Sequence, residues 1–157
     1  MQQISKYLTI SDVERSTTAI RKGINNTLPV EFINNAKYVA ELYDLIYTKF
    51  NGNVRINSFY RCVKLNKAIG GSGTSQHCTA SAFDVEGING VSNKEIFEFC
   101  RTLDFDQLIN EFQDKNGEPA WVHISRREKN RKQVLKAIKK GKETIYLPLW
   151  AQEQIVY

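Results

Sequence analysis

The sequence predicts a single α+β domain spanning 1–157, with a central antiparallel sheet flanked by helices. Three observations carry that expectation. Apolar residues recur at alternating intervals of four and three from Phe32 to Phe50, the period of a long amphipathic helix. Short stretches at 53–58, 82–85 and 121–125 alternate in polarity instead, as half-buried strands do. Gly, Asn and Pro signals separate these stretches, and no repeat, low-complexity tract or linker interrupts the 157 residues. A chain of this length buries ~70% of the surface its unfolded form exposes, enough for one core.

In chain order, Ser11 with Glu14 forms a capping box for a helix over 12–21, closed near Gly23. Pro29 suits the first turn of the long helix, whose inward stripe is Phe32, Ala36, Val39, Tyr43, Ile46 and Phe50, with Asn51-Gly52 as its stop. A short strand over 53–58 then delivers Tyr60 and Arg61 just past its end. A helix is expected over 62–69, stopped by Gly70-Gly71 and followed by a Ser-Gly-Thr loop. Ser92 with Glu95 is a second capping box, and Ile96, Phe99, Cys100 and Leu103 form that helix's buried stripe. Phe105 to Phe112 reads as a strand, broken by a loop over 114–119. Val134 to Ile138 and Thr144 to Leu147 read either as a hairpin across 139–143 or, in the first half, as a helix over 134–140.

Both histidines of the chain fall in two segments, Ser75 to Asp84 (SQHCTASAFD) and Trp121-Val122-His123. If the first segment were helical, His77 and Asp84 would stand ~10 Å apart along the axis, too far for two ligands that must each come within about 2 Å of one ion. A loop at His77 entering a strand is therefore expected, with Ala82 and Asp84 on one face and Phe83 and Val85 turned into the core. The second segment repeats the pattern, Trp121, His123 and Ser125 on one side and Val122 and Ile124 on the other. Two imidazoles and a carboxylate are the donor set of a hydrolytic zinc, which uses three protein ligands and one open position. His77, Asp84 and His123 are the expected Zn2+ ligands.

These segments resemble the zinc D-alanyl-D-alanine carboxypeptidases, a family that also contains phage L-alanyl-D-glutamate endolysins and whose pattern is Ser-x-His-x-x-Gly-x-Ala-x-Asp followed by a late Trp-x-His. Ser75, His77, Ala82, Asp84, Trp121 and His123 match it, and Ala80 stands at the usual glycine. Ser58-Phe59-Tyr60-Arg61 is similar to the family's Ser-Gly-Tyr-Arg segment, with Phe59 in place of the glycine. Asn66, Gly70-Gly71, Phe105 to Ile109 and Ile124-Ser125 extend the likeness over roughly 7–131. The resemblance implies a Hedgehog/DD-peptidase-like fold and a zinc peptidase, carboxypeptidase or endopeptidase, acting on peptidoglycan stem peptides that contain D-amino acids.

The resemblance also assigns roles. Arg61 corresponds to the family arginine that steadies the oxyanion or substrate carbonyl, a task suited to a permanent charge with several donors. Tyr60, Ser75 and Trp121 are candidate substrate contacts; core packing for the two aromatics and capping of the His77 loop for Ser75 are the plain alternatives. In the family an acidic general base usually stands three positions before the last histidine, where this chain has Ala120. Glu111, on a strand expected to pair with that of His123, and Glu118, in the loop before it, are the substitutes, with Glu111 preferred.

The net charge of +5 is concentrated: 126–143 carries +7 and the remainder −2. Such a patch suits anionic wall polymers or a solvated face, and with no aromatics interleaved through it, nucleic-acid binding is not expected. No apolar run approaches the ~20 residues that span a bilayer. Met1 to Ile10 lacks the pattern of a secretory signal, so synthesis in the cytoplasm without a signal peptide is expected; the resemblance implies action at the bacterial wall, which together with the missing signal is compatible with a phage lysin, and a monomeric state is expected. Cys62, Cys78 and Cys100 show no CxxC pairing and read as reduced thiols. The rival reading, motivated by Ala120, is a zinc-stabilised module that holds wall peptides without cutting them.

Overall fold

The computed structural model describes residues 2–150. Its helices are α1 (Ile10–Glu14), α2 (Thr17–Lys22), α3 (Ile33–Lys49, entered through a 3-10 turn at Val30–Phe32), α4 (Val63–Ala68) and α5 (Asn93–Cys100). Its strands are β1 (Val54–Ser58), β2 (Ala82–Gly87), β3 (Gln107–Glu111), β4 (Trp121–Ser125), β5 (Gln133–Lys140) and β6 (Glu143–Pro148). The strands form one sheet in the order β1-β2-β4-β3-β5-β6. This is the expected α+β architecture, and the sheet is mixed rather than wholly antiparallel. β3 and β5 run parallel while the other neighbours are antiparallel. The chain leaves β4, crosses over the end of β3 and lays β5 along the free edge of β3, so β5 must point the same way.

That crossing is held by Asp106, which has no exposed surface. Its carboxylate accepts hydrogen bonds from the Arg131 backbone N–H (2.8 Å), from Arg131 Nε (3.0 Å) and Nη2 (2.7 Å), and from the side-chain amide of Gln76 (2.9 Å). Arg127 Nε lies a further 3.0 Å away. Burial alone would raise the Asp106 carboxyl; the donors of Arg131 and Gln76 outweigh it and hold it down at about 2. One buried carboxylate thus ties the crossover and the turn that carries His77 to the start of β3.

One face of the sheet is covered by α3 and α5. The inward side chains Ala36, Val39, Ala40, Leu42, Tyr43 and Ile46 of α3, and Ile96, Phe97 and Cys100 of α5, meet Val54, Phe83, Val85, Leu108, Val122 and Ile124 of the strands. Tyr43 stands edge-on to Phe83 at 5.7 Å between ring centroids, a favoured aromatic geometry. The opposite face bears the polar residues considered below.

Most predicted boundaries hold, and the exceptions have local causes. The single helix expected over 12–21 is two. Thr9 and Asp12, not Ser11 and Glu14, make the first capping box, Arg15 is extended (ψ 127°), and Ser16 caps α2. Glu14 instead accepts the Leu28 backbone N–H. Gly23 closes α2 in the left-handed region, as expected (φ 63°). The Ser92–Glu95 box opens α5 as predicted, but Phe97 rather than Phe99 is fully buried. The hairpin reading of 134–147 is the observed one, with Gly141 (φ 64°) supplying the tight turn between Lys140 and Glu143.

Candidate metal centre

The His77 loop is a 3-10 turn, Gln76–Thr79, whose N-cap Ser75 accepts a hydrogen bond from the His77 N–H at 3.3 Å. Ala80 ends it with φ 56° and ψ 32°, the left-handed conformation that a glycine adopts at no steric cost and an alanine at ~1–2 kcal/mol. The turn is then pinned from β1's exit: the Arg61 N–H donates to the His77 carbonyl at 3.1 Å, and the Phe59 carbonyl sits 2.7 Å from His77 Nδ1. Phe59 itself is fully buried against Phe83, so its bulk goes into the core and only its carbonyl faces the site.

β2 and β4 are paired with Asp84 opposite His123, which puts both on the open face of the sheet. His77 Nε2 lies 3.3 Å and His123 Nδ1 3.1 Å from the same oxygen, Asp84 Oδ1, and the three ligand atoms all fall within 4.8 Å of one another. Ligands on a tetrahedral ion at ~2.0–2.1 Å are separated by roughly 3.3 Å, so the spacing suits one small cation. The protonation states argue the same way. His77 Nδ1 must donate to the Phe59 carbonyl, leaving Nε2 with a lone pair aimed at a carboxylate oxygen, and Nε2 has no hydrogen-bond partner although it is buried. Two acceptors facing each other repel unless a cation lies between them. Burial pushes the His77 pKa down, towards the neutral form. Burial opposes ionisation of Asp84, but the two histidines hold its pKa well below the ordinary carboxylate range. Neutral imidazole and ionised carboxylate are the ligating forms. The residues therefore fit the zinc that the sequence implies.

Glu111 and Glu118 are separated by the structure. Glu118 accepts from the backbone N–H groups of Asn93 (2.7 Å) and Lys94 (3.2 Å) and so caps the start of α5, where a carboxylate is favoured. Asn93 adds to that corner by donating to the carbonyls of Pro119 and Ala120, both at 3.0 Å. Glu111 is opposite Trp121 on β4 and shares the face of His123. Its own carbonyl accepts the Ala120 N–H at 2.8 Å, so the neighbouring strand places an acid beside the position where Ala120 lacks one. Burial pushes the Glu111 carboxyl up to about 7; the Asp84 charge adds to the rise, and His123, Arg61 and Lys139 oppose it.

Arg61 lies close enough to feel the charges of Asp84 and Glu111, with burial lowering its pKa from the ordinary value. It makes no ion pair among the described residues, and its Nε is buried without a partner. Tyr60 is placed elsewhere than a substrate contact requires: it is 5% exposed, belongs to the hydrophobic core and packs on Phe32. Trp121 is half-buried on the site face, edge-on to Phe112 at 5.4 Å. Phe112 (φ 53°) is a bulky residue in left-handed backbone directly after Glu111, a position that sequence alternation would have turned into the core. The sequence contains no signal for it.

Four of the nine basic residues of 126–143 form ion pairs within the fold. Arg126 pairs with Glu41 at 2.7 Å and lies over the Tyr38 ring at 3.9 Å, Arg127 and Arg131 pair with Asp106, and Lys132 with Asp104. The three cysteines are free, as expected, with Cys62 Sγ capping α4. No helix among the described residues is long and apolar enough to cross a membrane.

Comparison with known proteins finds no curated sequence that matches. A family model described as Peptidase M15 matches residues 6–125, a stretch that contains α1 through β4 and all three candidate ligands. On that match and on the His-Asp-His cluster that the fold assembles, the chain belongs to the peptidase M15 family, whose members resemble zinc D-Ala-D-Ala carboxypeptidases.

Proposed function

We propose that this protein is a zinc-dependent peptidase that hydrolyses peptidoglycan stem peptides containing D-amino acids, as a carboxypeptidase or an endopeptidase, and serves as a phage lysin at the bacterial wall. The observation that carries the reading is the buried, unpartnered Nε2 of His77 set against Asp84 and His123, with Glu111 on the same face. Bound there, zinc supplies a Lewis acid that polarises the scissile carbonyl and acidifies the attacking water. Glu111, on the same face, would take the proton from the attacking water and return it to the leaving amine, a double duty open to a carboxyl group placed there. Arg61 stabilises the oxygen on which negative charge develops, its half-buried guanidinium making no ion pair among the described residues. Trp121 and Ser75 border the cleft, Ser75 by shaping the His77 turn.

The experiment is digestion of purified bacterial wall by the full chain, with and without a chelator. New amino groups that disappear with chelator and return with zinc are expected. Binding of wall without new amino groups would favour the non-catalytic module that Ala120 suggests. Retention on DNA that salt abolishes, with neither wall binding nor cleavage, would favour the basic stretch as the functional surface.

A further inference from the structure

The β5–β6 hairpin lies outside the stretch that matches the peptidase family, residues 6–125, yet it is joined edge to edge to the strand that carries Glu111. The register is continuous: Glu111 is opposite Ala137, and Ala137 is opposite Tyr146. Residues opposite one another share a face, so Glu111, Ala137 and Tyr146 stand in a row that begins at Trp121, on the face of Asp84 and His123 and two residues along the strands from them. With neighbouring strands about 4.8 Å apart, the Tyr146 Cα lies roughly 10 Å from that of Glu111, a gap that a phenol and a carboxylate reaching towards each other span.

Ala137, the small residue between them, has no exposed surface, so larger neighbours close over it. Tyr146 remains 47% exposed: it is no core aromatic, and its register puts it on the sheet face that carries Glu111. Its hydroxyl has no hydrogen-bond partner among the described residues. Its pKa is raised by burial and by the charges of Glu111 and Asp84, with Arg61 opposing, which places the hydroxyl in the field of the same groups that form the site. Lys139, on the same strand face as Ala137, stands over the Phe112 ring at 5.2 Å and closes this end of the row.

We infer that Tyr146 is a substrate-binding residue, donating its phenolic hydrogen to a backbone carbonyl oxygen of the peptide on the side of Glu111 away from His123. The hairpin is then one rim of the cleft, supplied by a part of the chain that the family match does not contain. This assignment rests on the peptidase reading above. A hydrogen bond to a substrate carbonyl contributes about tenfold to binding.

The test uses the zinc-loaded full chain, a synthetic stem pentapeptide, and two substitutions, Tyr146→Phe and Tyr146→Ala. The phenylalanine keeps the ring and removes only the hydroxyl. Tyr146→Phe is expected to lower kcat/KM about tenfold, with melting temperature and zinc content unchanged. In a Glu111→Gln background, where turnover does not intrude, calorimetry is expected to show about tenfold weaker pentapeptide binding when Tyr146→Phe is added. Cleavage and binding by Tyr146→Phe equal to the parent, with only Tyr146→Ala impaired, would reduce the residue to a packing role and overturn the assignment alone. Failure of the unsubstituted protein to cleave either pentapeptide or wall would overturn the peptidase reading, and this assignment with it.

Discussion

Replacing Glu111 by glutamine moves activity and stability in opposite directions, a combination that few roles for the residue produce. Glu111 is 7% exposed and its carboxyl is pushed up to about 7 by burial. A carboxyl with a folded pKa above its unfolded value stabilises the fold below the unfolded value, and that contribution is lost as pH rises through about 7. Above pH 8 the metal-free protein therefore carries an ionised, poorly solvated carboxylate that costs about 3 kcal/mol. Glutamine keeps the shape without the charge. The metal-free Glu111→Gln protein is expected to melt higher than the parent at pH 8, by on the order of 6–10 °C, and to show no advantage at pH 4. The same change removes the proposed proton acceptor, and cleavage of wall peptides is expected to fall 10²- to 10⁴-fold. Calorimetric melts at the two pH values, beside amino-group release at pH 8, measure both. Activity within tenfold of the parent would show that Glu111 is not the base, and a lower melting temperature at pH 8 would refute the burial argument.

Other expectations follow from the same structure. Zinc at a hundred times its dissociation constant is expected to stabilise the protein by about 2.7 kcal/mol, and Asp84→Asn to abolish that increment; thermal melts with and without zinc check it, and an unchanged increment would remove Asp84 from the ligand set. Asp106→Ala leaves the Arg127 and Arg131 guanidinium groups facing a site with no charge, and is expected to destabilise by about 3 kcal/mol in urea unfolding. Because the Asp106 carboxyl is held at about 2, its contribution is present above the ordinary carboxylate range and lost as pH falls towards 2; the parent's acid transition is therefore steeper than that of Asp106→Ala. Glu118→Gln weakens the cap on α5, lowering stability by about 0.5–1 kcal/mol while leaving cleavage within twofold, whereas a large loss of activity would return Glu118 to the list of bases.

The His-Asp-His cluster was legible because strand alternation is short-range. Once 82–85 and 121–125 are strands, Asp84 and His123 can only face one side, and pairing of β2 with β4 sets them opposite each other. The long helix was legible from its stripe for the same reason. What sequence could not supply is contact made across the fold. Tyr60 follows a strand in the pattern of a cleft residue, yet lies in the core because its backbone is drawn in, its N–H donating to the Val13 carbonyl and its carbonyl accepting from Asn26. Glu118 is a loop charge in one dimension and a helix cap in three. Asp106 shows no local sign of the two arginines and the glutamine that converge on it from 20 or more residues away. Tyr146 depends on two successive strand registers, neither of which can be read from the sequence, where a helix over 134–140 stands as an alternative to the hairpin.

The left-handed Ala80 also bears on the order of events when metal arrives. A glycine would take that bend at no steric cost; here an alanine with no exposed surface is held in it by the surrounding fold, at the expense of some stability. His77 is thereby aimed in advance, gripped at its far nitrogen by Phe59 before any ion is near. A cation bound there would enter a finished socket instead of gathering its own walls, so chelator treatment is expected to leave amide-exchange protection in place, ready for reloading within the time of mixing.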